Sequence, residues 1–144
     1  MSRQIGEVPT RTFNPGDIIF REGDDPKGEA FLVHIGKVEV RKVIGGEERL
    51  LRTLGKGELL GELGLFRSAP RSATAVAAEP VTLMVIPANR LDHMVRSNSA
   101  LAVAIIKDLA SRMLAAEERA REAEDRANAL REKLKERGIS PDAV

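Results

Sequence analysis

Eleven of the twelve glycines and six of the seven prolines lie before residue 98, whereas the 38 residues from Ala100 to Arg137 contain neither. With no breaker, the second part is free to run as one helix, about 57 Å long at roughly 1.5 Å per residue. The first part alternates short β-type runs with Gly and Pro turns, which predicts an all-β unit. The expected divisions are a β part with a short helix at 1–97, a long helix at 98–138 and a tail at 139–144.

Within the β part, Phe31, Val33 and Ile35 alternate with Leu32 and His34, and Val38 and Val40 alternate with Glu39 and Arg41, the pattern of half-buried strands. A third run spans Leu50 to Leu54, and Ile18–Phe20, Ser72–Ala78 and Val81–Ile86 add more; Gly36, Gly45-Gly46, Asn14-Pro15-Gly16-Asp17 and Glu79-Pro80 supply turns. Many short strands in so few residues predict a small barrel or jelly roll. Pro87 then opens a brief helix whose Leu91, Met94 and Val95 share one face and pack on the β unit.

The long helix has Asn98 or Ser99 as its N-cap and Gly138 as its stop, with Pro141 beyond. Ile106, Leu109, Met113, Ala116, Ala120, Ala123, Ala127, Leu130 and Leu134 follow one another in alternating three- and four-residue steps, which is a heptad seam. With Ile106 at position a, a parallel pair sets Arg112 against Glu117 and Arg119 against Glu124 of the second copy, while Arg126 meets Arg131. An antiparallel pair would set like charges together, so the expectation is a parallel homodimer. The alternative is a solvated, charge-laced single helix.

Composition narrows the chemistry. There is no Cys, Trp or Tyr, which removes a disulfide scaffold and thiolate catalysis and points to a reducing, cytoplasmic setting. Lys and Arg number 23 against 22 Asp and Glu, a net charge of +1 that gives no electrostatic footprint for nucleic acid. No run approaches the ~18 apolar residues of a membrane span, and the N-terminal residues do not read as a signal peptide. His34 and His93 are too few for a histidine metal site, so no metal is expected, and no catalytic triad or carboxylate dyad is recognisable. Gly55-Lys56-Gly57-Glu58-Leu59-Leu60-Gly61 has the wrong spacing for a dinucleotide fingerprint or a P-loop.

The informative stretch is Gly61-Glu62-Leu63-Gly64-Leu65-Phe66-Arg67-Ser68-Ala69-Pro70-Arg71-Ser72-Ala73-Thr74. A glycine opens a one-turn helix whose first amides are donors, and an arginine follows in a short loop; together they make an anion site. The planar guanidinium suits two oxygens of a phosphate, and Glu62, an acceptor only, suits a neighbouring hydroxyl. The pair fits a phosphate joined to a sugar with a free hydroxyl. The bland alternative is that Glu62 and Arg71 pair with each other or with surface charges.

This segment resembles the phosphate-binding cassette of the cyclic nucleotide-binding domain family, found in catabolite-activator-like regulators and in ion channels. Phe13 to Asp24 is similar to the family's opening turns, and Gly36-Lys37-Val38-Glu39-Val40 to its hairpin. The resemblance implies an eight-stranded β-roll, jelly-roll-like, followed by a hinge helix and a long C-terminal helix. It implies cAMP or cGMP as ligand, with Arg71 on the cyclic phosphate, Glu62 on the ribose 2′-hydroxyl, and amides near Gly61, Glu62, Leu63 and Ser72, with the Ser72 hydroxyl, completing the cradle. Leu63, Leu65 and Phe66 would be core and hinge contacts. In the catabolite-activator branch the long helix offers hydroxyls to adenine; Ala116 and Glu117 here have none, and Ser72 is compatible with adenine binders. A helix-turn-helix is not seen after the helix, so no nucleic-acid partner is expected. The implied function is a non-enzymatic sensor acting through its helix on an unidentified protein. The alternative is an interaction module that has lost its ligand, or a piece of a longer regulator or channel.

Overall fold

The computed structural model describes residues 2–5 and 8–139; residues 140–144 of the expected tail, including Pro141, lie outside the described residues. Nine strands are described: β1 (Ser2–Ile5), β2 (Val8–Phe13), β3 (Ile18–Phe20), β4 (Glu29–Ile35), β5 (Val38–Ile44), β6 (Glu47–Leu54), β7 (Leu59–Leu60), β8 (Thr74–Ala77) and β9 (Val81–Pro87). A single 3-10 turn, Glu62–Leu65, follows β7; another, Ala88–Arg90, leads into α1 (Leu91–Ser97) and α2 (Ser99–Glu136). All strand pairings are antiparallel, in sheets ordered β1-β2-β9-β4-β7 and β3-β8-β5-β6. The expected β-roll with C-terminal helices is present, with β1 added at one edge.

Two apolar clusters hold the roll. Phe31, Val33, Val38, Val40, Leu54, Leu83 and Val85 belong to the first, formed mainly by inward-facing side chains of both sheets. Leu32, Leu59, Met84 and Ile86 belong to the second, which α1 and α2 complete with Met94, Leu101 and Ile105. The central strands β4 and β9 are thus covered on both faces, which makes Ala30–Val33 and Val81–Ile86 near-continuous apolar runs. The half-buried alternation expected around Phe31 is corrected accordingly: Leu32 is buried under the helices, while Ile35 lies beyond a register shift between Val33 and Ile35 and is exposed. Strand β2 was hidden in the sequence by Pro9 and by its polar residues. It pairs with β9 through Thr10–Phe13, leaving Pro9 opposite Gln4 of β1.

The chain divides into two compact units, Met1–Asp108 and Leu109–Val144, so the boundary falls inside α2. The reason is packing: Leu101 and Ile105 are buried with the roll, and the helix starts on an Asn98 cap whose Oδ1 accepts from the Leu101 amide at 3.2 Å. At its other end the Ile139 amide donates to the Leu134 carbonyl and the Gly138 amide to that of Lys135, a Schellman closure. Among the described residues no helix is long and apolar enough to cross a membrane.

This division gives a test. Leu101→Ala removes a fully buried side chain and should cost about 2–5 kcal/mol in urea unfolding. Met113→Ala, at an exposed position, should stay within about 0.5 kcal/mol at dilutions that keep the chain monomeric. Equal effects would contradict the packing described.

Candidate functional site

The site is built around Arg71, which lies in the loop before β8 and is only 8% exposed. Its main chain is locked to the loop after β3: the Arg71 amide donates to the Asp24 carbonyl and the Gly23 amide donates to the Arg71 carbonyl, both at 2.8 Å. Its side chain then turns inward. Nη2 donates to the Glu29 carbonyl at 2.8 Å and to that of Pro26 at 3.3 Å, and Nη1 donates to the Gly61 carbonyl at 3.2 Å. The guanidinium carbon sits 4.3 Å from the Phe20 ring centre and 5.8 Å from that of Phe31, two rings 6.3 Å apart and near-parallel. A desolvated cation on an aromatic face gains about 2 kcal/mol. The remaining side-chain donor, Nε, is buried without a hydrogen-bond partner.

Burial lowers the Arg71 pKa from its ordinary value, and attraction to Glu29, Asp24, Asp25 and Glu62 works against that shift. An arginine remains charged under either influence. A cleft of about 460 Å³ opens beside it, lined in part by Phe31, Asp24, Asp25 and Glu29. Those carboxylates attract the guanidinium without bonding to it, and would oppose a second anion on their own side.

Gly61 caps the Glu62–Leu65 turn with φ +71°, a left-handed conformation, and a Cβ placed there would run into Arg71 Nη1. Glycine is therefore required twice at this position, by the turn and by the arginine behind it. Glu62, the first residue of the turn, is half-buried and is among the acids that attract Arg71. Leu63 is 50% exposed and Ser72 is exposed. Gly61, Glu62 and Arg71 are thereby brought together, with Leu63 and Ser72 at the surface beside them in sequence. Of the apolar residues expected as core or hinge contacts, only Leu65 packs against the second cluster; Leu63 and Phe66 are exposed because the turn is too short to bury more than one face. The residues missed in the sequence are Phe20, Pro26 and Glu29. Two of them act through carbonyls, which no residue type advertises.

Arg71→Ala should destabilise the fold by about 2–4 kcal/mol, because three carbonyls lose their donor and the Phe20 face loses its cation. Arg71→Lys keeps the charge without the planar fork and should recover only part of the loss. Urea unfolding of the two variants checks this; a wild-type Arg71→Ala midpoint would refute the role given to these contacts.

Comparison with known proteins identifies the family of the domain. The profile of the family described as cyclic nucleotide-binding domain matches residues 10–98. The Cyclic AMP receptor protein of Thermus thermophilus is 45% identical over 78 residues, covering 53% of this chain and 35% of that protein. The cAMP-dependent protein kinase regulatory subunit of Hypocrea atroviridis is 35% identical over 87 residues, covering 60% of this chain and 18% of that protein. The matches therefore span about a third or less of each relative's length. Among solved structures, the Thermus thermophilus Catabolite Activator Protein aligns with a TM-score of 0.65 at 32% identity, over 90% of this chain and 63% of the other. Matched by the family profile over most of its length, from β2 to the cap of α2, the chain belongs to the cyclic nucleotide-binding domain family.

Proposed function

We propose that this chain is a non-enzymatic regulatory module that binds a cyclic nucleotide and passes the event to a protein partner through a dimeric α2. The observation that carries the reading is the buried Arg71 guanidinium, lodged against the Gly61 cap with Nε lacking a partner. An orphaned charged donor behind an anion-type turn is suited to a phosphate oxygen. In this reading Arg71 and the amides of Gly61, Glu62, Leu63 and Ser72 hold the phosphate, the Ser72 hydroxyl adds a donor, and the Glu62 carboxylate accepts from the ribose hydroxyl. No reacting group is required, so the module binds and does not transform its ligand. The names of the Thermus and Hypocrea relatives make cAMP the first candidate, with cGMP the second. A cytoplasmic setting fits a chain without cysteine.

Leu65 supplies the mechanical link, since it stands in the cassette turn and packs against the same buried cluster that Met94 of α1 and Leu101 of α2 belong to. A ligand that draws the turn inward repacks that cluster and shifts the start of α2. The output surface is the seam, where Ile106, Leu109, Met113 and Leu130 are all exposed. Exposed apolar residues at heptad spacing on one chain favour a second copy as their cover.

Calorimetric titration of nucleotide-stripped protein tests the binding half. Micromolar or tighter binding of cAMP or cGMP is expected, weakened about tenfold or more in Glu62→Ala by loss of a charge-assisted hydrogen bond. A folded protein that takes neither nucleotide would leave a ligand-independent interaction module in its place. Sedimentation tests the dimer: the wild type should run as a dimer at micromolar concentration and Met113→Glu as a folded monomer, and a monomeric wild type would overturn the seam reading.

A further inference from the structure

Strand β7 has only two residues, lies at the end of its sheet and leads directly into Gly61 and the cassette turn. Among the described residues its strand partner is β4, with Leu60 opposite Phe31 and Leu59 opposite Leu32. One step earlier, Val33 donates to the Glu58 carbonyl and accepts from the Gly57 amide. Antiparallel ladders alternate, so Leu32 and Leu59 form a non-hydrogen-bonded pair and the Leu59 N–H points away from β4. Leu59 is fully buried, which removes water as a partner. The donor is met by a side chain from a distant part of the chain: Asp108 Oδ1, on α2, accepts it at 3.1 Å. Asp108 is half-buried and lies three residues after Ile105 and seven after Leu101, on the helix stripe that faces the roll; the next residue, Leu109, belongs to the seam.

We propose that Asp108 is a positioning residue for the nucleotide site: its carboxylate ties the third turn of α2 to the strand that carries the cassette, so that the placement of α2 and the geometry of Gly61 and Glu62 are set together. The inference deepens the reading above and rests on it for its ligand. Leu65 couples turn to helix by non-directional packing, whereas the Asp108 bond fixes one atom of the helix to one amide two residues before Gly61. Because the coupling is an equilibrium one, what loosens the helix on β7 weakens the ligand, and bound ligand tightens the helix on β7 by the same factor.

The test uses the full chain, with Asp108→Asn keeping an acceptor oxygen at the same reach and Asp108→Leu keeping bulk without one. Titrated with cAMP and cGMP, Asp108→Asn should bind within about threefold of wild type, and Asp108→Leu about tenfold or more weaker, the size expected for losing a hydrogen bond to a charged acceptor. Amide exchange should show Leu59 protected in wild type and in Asp108→Asn and released in Asp108→Leu. A purely structural role would lower the melting temperature of Asp108→Leu while leaving its affinity, measured well below that temperature, unchanged; that result overturns the proposal. So does rapid exchange of the Leu59 amide in the wild type, which needs no variant and covers the case in which Asp108→Leu does not fold. If the wild type binds neither nucleotide, the ligand reading fails, and the exchange comparison still decides whether the tether exists.

Discussion

A charged guanidinium buried beneath a one-turn helix is the constraint around which this domain is organised. Removing Arg71 from water is costly, and the protein meets that cost with three carbonyls, the faces of Phe20 and Phe31 and the attraction of nearby acids. Each compensation fixes something else. The Pro26 and Glu29 carbonyls dictate the path of the loop between β3 and β4, and the Gly61 carbonyl ties the cassette turn to the same cation. The room the arginine needs excludes side chains around it: a Cβ on Gly64 would come within 2.7 Å of the Glu29 carbonyl oxygen and 3.0 Å of Arg71 Nη1. The glycines of the Gly61–Gly64 segment are therefore steric consequences of Arg71 as much as turn residues.

A second constraint places the helices. Strands β4 and β9 pair along Glu29–Ile35 and Val81–Pro87, and the alternating side chains of both faces are apolar. Only one face can meet the opposite sheet, so the other needs a cover, and Met94, Leu101 and Ile105 supply it. Leu59 and Leu65, on either side of the Gly61 cap, are in that same cluster. The anion-type turn and the start of α2 consequently share one apolar surface, packed with little free volume.

What the sequence revealed, and what it did not, follows from the range of the interactions. The division into β-roll and helix was legible because Gly and Pro act locally, and so were the Asn98 cap and the Gly138 stop. Arg71 and Glu62 stood out by residue type and spacing, and the structure brings both to the cassette turn. The double-faced burial of β4 was not legible, since an apolar residue between two others reads the same whether its face meets solvent or a helix. Strand β2 was missed because Pro9 argues against a strand unless its missing donor faces an unpaired position. The contacts of Arg71 with the Pro26 and Glu29 carbonyls, and of Asp108 with the Leu59 amide, join residues 45, 42 and 49 positions apart through main-chain atoms. Nothing in residue identity encodes such partners.

Helix geometry separates two stripes of residues on α2. At about 100° per residue, Leu101, Ile105 and Asp108 fall within roughly 60° of one another, while Ile106, Leu109 and Met113 lie centred roughly 100° further round. The first set is buried or half-buried and the second is exposed. The two stripes overlap in sequence between Leu101 and Met113. A helix is stiff over such a span, so a rotation that repacks Leu101 and Ile105 must carry Ile106 and Leu109 with it. The alanines from Ala116 to Ala127 give the seam little apolar area per residue, so its larger side chains fall in two groups, Ile106, Leu109 and Met113 before the alanines and Leu130 and Leu134 after them.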